Sequence, residues 1–215
     1  MCGRYYINEE AWEVVRDDFP ELTETNPFMN PTLRLGDITP AMNAVSLVAA
    51  DSREIGQAAD SRETGQAAGH FIRPAPLLWG FPGFDGKSLI INARAEGIAD
   101  KPTFAESIRA RRCVLPASGF YEWDRSRQKV TFTLDGRPVI YLAGIYRPYG
   151  DEQRFVIITR EANASMTPVH DRMPLMIDPA DVRTWINDPS ATESFLTRQL
   201  PQLQAKRDYE QLSLF

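Results

Sequence analysis

Cys113-Val-Leu-Pro-Ala-Ser-Gly-Phe-Tyr-Glu-Trp123 is the stretch on which the fold assignment turns. Its apolar residues show no 3.6-residue period. Its second half alternates, with Phe120 and Glu122 on one face and Tyr121 and Trp123 on the other. That pattern reads as a strand, and it recurs on both sides at 44–50, 71–81, 89–94, 130–134, 139–146, 155–159 and 174–177. Asp135-Gly136 is a hairpin signal between two of these strands. Helices are expected at 8–19, with Asn8 as cap and Trp12, Val15 and Phe19 on one face, at 103–112, at 179–187 behind an Asp178 cap, and at 191–200. Strands that follow one another with few helices between them point to an α+β fold. Mainly antiparallel curved sheets, or a distorted barrel with flanking helices, are expected.

At 215 residues, with no linker-like change in composition, the chain is expected to be a single domain over 1–215. One segment stands apart: Asp51-Ser-Arg-Glu-Ile-Gly-Gln-Ala-Ala59 is followed at once by Asp60-Ser-Arg-Glu-Thr-Gly-Gln-Ala-Ala68, the copies differing only at Ile55 and Thr64. Nine residues are too few for a solenoid unit. The duplication at 51–69 is therefore expected to be a flexible loop, where added length costs little. No apolar run approaches a bilayer span, and no basic segment followed by an apolar stretch opens the chain, so a cytoplasmic location without membrane contact is expected. Cys2 and Cys113 are too few for a disulfide framework, and Cys113 reads as a buried strand residue. A net charge of −5 argues against a general nucleic-acid coat protein but leaves room for a local basic channel.

The chain begins Met1-Cys2-Gly3-Arg4. Removal of Met1 would put an α-amine and a thiol on adjacent carbons, a pair that only a terminal cysteine offers. The amine titrates near pH 8, so a useful neutral fraction exists at cellular pH. The thiol becomes a strong nucleophile once ionised. Metal chemistry has little support: there are two histidines, His70 and His170, and no Cys-x-x-Cys or His-x-x-x-His spacing. Gly83-Phe-Asp-Gly-Lys-Ser88 imitates a phosphate loop, but its spacing is off and a strand follows it, so the anion site loses its basis.

Three further residues are candidates for chemistry. His170 sits in Pro168-Val-His-Asp-Arg-Met-Pro174, a polar triplet that the flanking prolines stiffen. Glu122 shares a strand face with Phe120, and a partly desolvated carboxylate there can donate as well as accept protons. The alternative is an edge-strand glutamate pointing to water. Asn92, where Ile90-Ile91 turns polar, can orient a substrate oxygen or can simply cap the backbone.

Taken together, MCGRY at 1–5, WGF at 79–81, INARAE at 91–96, RRCVLPASGFYEW at 111–123 and PVHDRMP at 168–174 resemble one family, the SOS response-associated peptidase (SRAP) or abasic-site-processing proteins. The motifs span about 1–175 in the expected order. The resemblance implies a single SRAP-like domain that senses abasic sites in single-stranded DNA. It also implies covalent capture through Cys2 after Met1 removal, with no metal and no cofactor. Carried over by position, Cys2 is the nucleophile and Asn92, Glu122 and His170 line its pocket. Arg4, Arg94 and Arg172 match arginines that grip DNA phosphates, and Trp79 falls beside the DNA, where it would stack on a base. An ordinary surface salt bridge is the alternative for each arginine. One segment departs from the family pattern. Where an Arg-Tyr-Asn-x-Ala-Pro-like run is usual, this chain has Leu35-Gly-Asp-Ile-Thr-Pro40, and no role for that asparagine transfers.

The implied chemistry joins an aldehyde carbon of the opened abasic sugar to nitrogen and sulfur of Cys2 in a thiazolidine. This shields the lesion from strand cleavage. The protein is then a lyase-like DNA-processing enzyme with self-removal of its first residue as its peptidase activity. A monomer in the cytoplasm, nucleoid-associated when bound, is expected. Two rivals remain at the level of sequence: an N-terminal-cysteine amidohydrolase or peptidase, and a non-covalent reader of damaged single strands.

Overall fold

A computed structural model describes residues 2–23, 25–50 and 71–207. The duplicated stretch at 51–69 and His70 lie outside the described residues. Strand β1 (Arg4–Ile7) leads into helix α1 (Glu9–Asp18), then β2 (Gly36–Ile38), β3 (Asn43–Ala49) and β4 (Ile72–Trp79). A small hairpin of β5 (Phe81–Pro82) and β6 (Leu89–Ile90) precedes β7 (Asn92–Arg94) and helix α2 (Ala105–Ala110). Next come β8 (Arg112–Ala117), β9 (Gly119–Trp123), β10 (Lys129–Leu134), β11 (Ile140–Tyr149) and β12 (Glu152–Glu161). The chain continues through β13 (Arg172–Pro174), β14 (Met176–Ile177), helices α3 (Val182–Asn187) and α4 (Thr192–Thr197), and β15 (Leu203–Arg207).

The fold is mixed α+β and mainly antiparallel. β12 pairs with β4 on one side and β11 on the other, and β3 and β8 complete the circuit β12-β4-β3-β8-β11. A five-stranded barrel closes, with β7, β13 and β14 appended to it. Closure leaves these strands no free edge. A second, antiparallel sheet runs β15-β10-β9-β1-β2. Asn8 starts α1 by accepting the Ala11 N–H at 2.9 Å on its Oδ1, and Ala11, Trp12 and Val15 form the buried face.

The 113–123 stretch turns out to be two strands in two sheets. β8 belongs to the barrel and β9 to the second sheet, and the chain crosses at Ser118. There the Ser118 N–H donates to Tyr6 O at 2.7 Å, and its hydroxyl donates to Asn8 Oδ1 at 2.9 Å. A Cβ on Gly119 would lie 2.6 Å from Phe132 O and 2.9 Å from the Tyr6 ring, so the crossing needs glycine. Asp135-Gly136 is a turn, with Gly136 at φ +69°, yet β10 and β11 part into different sheets and form no hairpin. The 174–177 segment divides as well: β13 pairs with β12 and β14 with β11. Likewise 89–94 breaks at Ile91, between the hairpin and the barrel edge. The Asp178 side chain makes no cap; its carboxylate lies 3.7 Å from Arg198 Nη1. No helix among the described residues is long and apolar enough to cross a membrane.

Candidate active site

The antiparallel register Arg4↔Tyr121 and Tyr5↔Phe120 runs the chain before Arg4 back along the Glu122 end of β9. Cys2 is 1% exposed there. Asn92, placed by the parallel pairing of β7 with Ile157 of β12, donates from Nδ2 to the Cys2 carbonyl at 3.1 Å. Its Oδ1 is buried and accepts no hydrogen bond, a costly state that a substrate donor would relieve. Glu122 is 7% exposed, on the same inward face as the fully buried Phe120, as its alternation predicts. Burial, followed by the nearby Glu122 charge, pushes the Cys2 thiol from 9.0 up to about 12. Cys2, Asn92 and Glu122 thus share one recess.

His170 is placed through the neighbouring strand β13. Its Nδ1 accepts the Arg172 N–H at 2.9 Å and lies 2.8 Å from Asp171 Oδ1. The two contacts compete for one nitrogen: an unprotonated Nδ1 accepts from the amide, whereas a protonated one donates to the carboxylate. Arg172 in turn donates to Thr159 O at 2.7 Å and grips both Glu96 oxygens, at 3.0 and 2.7 Å. Arg94 is the register partner of Thr159, and Arg172 that of Glu161, so the β7 and β13 arginines are both carried by the last residues of β12. Arg94 and Arg172 line an open cleft of about 480 Å³ with Glu96, Lys101, Glu161 and Asp171. The Arg172 guanidinium holds the Glu96 carboxyl down at about 2.

Arg4 is partly exposed, 3.7 Å from Asp37, with its guanidinium 5.8 Å from the Trp123 ring centroid. The departure at 35–40 is thereby accounted for in part: Asp37, on edge strand β2, faces Arg4 and accepts the Tyr121 hydroxyl at 3.2 Å.

Trp79 does not meet its expectation as a stacking platform. It is fully buried between Tyr5 (5.4 Å) and Phe155 (5.8 Å), and its indole N–H donates to Ile91 O at 3.0 Å. An interior indole offers no face to a base; it fixes the segment that carries Asn92. Exposed rings lie elsewhere: Phe84, 96% exposed at the tip of the β5–β6 hairpin, and Trp123, 40% exposed at the end of β9 beside Arg4. The Gly83–Ser88 stretch that imitates a phosphate loop is this hairpin turn, with Asp85 Oδ1 accepting both backbone and side chain of Ser88. Sequence reasoning passed over Phe84, although an aromatic flanked by turn residues is the signal. Among the described residues no three His, Cys, Asp or Glu side chains converge as a metal site.

The family profile described as SOS response associated peptidase (SRAP) matches residues 1–213. The chain is 34% identical over 214 residues to abasic site processing protein YoaM of Bacillus subtilis (strain 168), covering 91% of this chain and 83% of that protein. It is 33% identical over 119 residues to abasic site processing protein YedK of Escherichia coli (strain K12), covering 52% and 54% respectively. A solved protein from Bacteroides thetaiotaomicron shares the fold with a TM-score of 0.73 at 18% identity, covering 97% of this chain and 93% of that one.

Proposed function

Because the chain belongs to the SOS response-associated peptidase (SRAP) family, we propose that it processes abasic sites, binding them in single-stranded DNA and joining them covalently to Cys2 once Met1 is removed. The Cys2 amine adds to the aldehyde carbon of the opened sugar and water leaves, giving an imine. The Cys2 sulfur then bonds to that carbon, and the thiol proton ends on nitrogen. This second step is intramolecular, and well-oriented closures of this kind have effective molarities on the order of 10⁵ M or more. An imine alone would remain open to β-elimination and strand cleavage; ring closure removes it.

What supports this assignment most is one contact. Asn92 Nδ2 holds the Cys2 carbonyl at 3.1 Å, while its own buried Oδ1 is left for a donor on the incoming sugar. Glu122, close enough to bear on the thiol, delivers a proton to the departing oxygen and withdraws one from nitrogen. His170 orients the sugar hydroxyl during ring opening. Because Cys2 is recessed, the sugar must swing in, which is easiest in an unpaired strand. An abasic sugar, lacking its base, is slim enough to do so. Arg4, Arg94 and Arg172 meet phosphates, Arg172 exchanging Glu96 for one, and Phe84 takes the stacking role expected of Trp79. The protein works as a monomer in the cytoplasm.

The test is a denaturing gel of the protein with a single-stranded abasic oligonucleotide. The parent is expected to give a heat-stable adduct and Cys2→Ala none. An equal adduct from Cys2→Ala would place the covalent link at another residue, and no adduct from the parent would leave a non-covalent reader.

A further inference from the structure

Tyr5 is a group at the site that this chemistry leaves unused. Alternation along β1 turns it inward opposite Phe120, and it is 1% exposed. Its ring packs on Trp79 at 5.4 Å; Trp79 bonds Ile91 O, and the next residue, Asn92, bonds Cys2 O. Tyr5, three positions after Cys2 in the chain, is thus tied back to it through a closed circuit of contacts. The Tyr5 hydroxyl is buried and has no hydrogen-bond partner, while the Cys2 thiol donates to the carbonyl of Arg4, the residue before Tyr5, at 3.9 Å. A buried hydroxyl without a partner is rare and costly. Its retention asks for an acceptor that forms in another state of the site.

The titratable groups that bear on this hydroxyl are the thiols of Cys2 and of Cys113 on β8; those that bear on Cys2 include Glu122 on β9 and, after Met1 removal, its own amine. Burial and the two thiols hold the phenol far above its ordinary range, so Tyr5 remains a donor throughout. Cys2 has the opposite need: burial and Glu122 favour its protonated form, whereas ring closure requires sulfur as nucleophile. Cys113 is fully buried, and burial alone raises its thiol.

We propose that Tyr5 is a positioning residue for sulfur: its hydroxyl donates a hydrogen bond to Cys2 Sγ as the thiol proton leaves, and holds the thiolate that closes the ring. This rests on the covalent role of Cys2 given above. Tyr5 keeps its own proton, and no atom of it enters the product.

The variant is Tyr5→Phe, which keeps the ring on Trp79 and deletes only the unpartnered hydroxyl. An imine reducible by borohydride is expected to accumulate, with ring closure about tenfold slower, because a hydrogen bond to a charged group is worth roughly one pKa unit or more. The melting temperature is expected not to fall, which separates this outcome from a folding defect. As a DNA-free measurement, ¹³Cβ-cysteine labelling follows both thiols, assigned with Cys2→Ala, and the Cys2 resonance is expected to begin titrating at higher pH in Tyr5→Phe than in the parent. Parent-like closure together with an unmoved Cys2 titration overturns the proposal, as does a shift confined to Cys113. Should the parent form no adduct, the covalent assignment fails by itself, and the labelled titration still decides the hydrogen bond.

Discussion

Asn92 and Arg94 stand two residues apart on β7, yet they belong to regions built on opposite terms. The recess around Asn92 is closed to water and incompletely satisfied: Cys2 is 1% exposed, Glu122 is 7% exposed, and Asn92 Oδ1 has no donor. The cleft around Arg94 is open and charge-balanced, with Arg94, Lys101 and Arg172 against Glu96, Glu161 and Asp171, and Arg172 already occupied on both prongs. Unsatisfied groups in a low-dielectric recess interact strongly with whatever arrives, whereas exposed ion pairs are screened and individually weak. Bond-making is therefore expected to depend on the recess, and grip on the strand on the cleft.

Mutations can break that division, with the largest effects on adduct chemistry first and those on strand affinity after. Glu122→Gln is expected to slow adduct formation and reversal together by about 10²–10⁴-fold, the usual worth of a positioned proton donor and acceptor. Parent rates in both directions would remove Glu122 from the chemistry. Next, Phe84→Ala is expected to weaken single-strand affinity by about 1–3 kcal/mol without changing the rate of the bound complex. Trp79→Ala instead is expected to cost about 3–5 kcal/mol of stability, as a cavity in the core does. Binding isotherms and urea melts separate the two, and an affinity loss confined to Trp79→Ala would restore the expectation from sequence.

pH gives a third comparison. The folded protein keeps the Cys2 proton up to about 12, whereas an ordinary thiol loses it at 9.0. Between those values the unfolded chain binds fewer protons, so stability falls as pH rises. Cys2→Ala is expected to fall less across that window in urea melts; equal slopes would mean the thiol is not desolvated. The smallest effect belongs to the cleft. Glu96→Gln releases Arg172 to phosphate and is expected to tighten binding by a few-fold at most, because exposed pairs are worth about 0–1 kcal/mol. With Arg4, Arg94 and Arg172 each on a phosphate, the logarithmic salt slope is expected near −2, at about −0.7 per contact. A flat salt dependence would exclude the cleft from the DNA path.

Local rules made part of this molecule legible in the sequence. The Asn8 cap and the α1 face follow from side-chain chemistry and period, and the inward turn of Glu122 follows from alternation. Where the chain changes sheets, no local signal exists: 113–123 reads as one strand because the buried run of β8 passes directly into the alternation of β9. Its break is set by what surrounds Gly119 and by the Ser118–Asn8 contacts, 110 residues apart. Asp135-Gly136 announces a turn correctly but carries no information about which sheet receives each arm. Trp79 departs from its expectation for a similar reason, since a motif places a residue near a site without saying which way its ring faces. Arg112 gave no sign either; its guanidinium is buried and bonded to carbonyls at the C-terminal ends of α2 and α3, including Ile108 and Ile186.

The mass of the intact conjugate, taken before and after borohydride treatment, bears most directly on covalent capture at Cys2. Protein lacking Met1, incubated with an abasic single strand, is expected at the summed masses less one water, unchanged by the reductant because the ring has no imine left to reduce. A gain of two hydrogens would mean that sulfur never closes the ring. The same conjugate from protein that retains Met1 would contradict the role of the Cys2 amine.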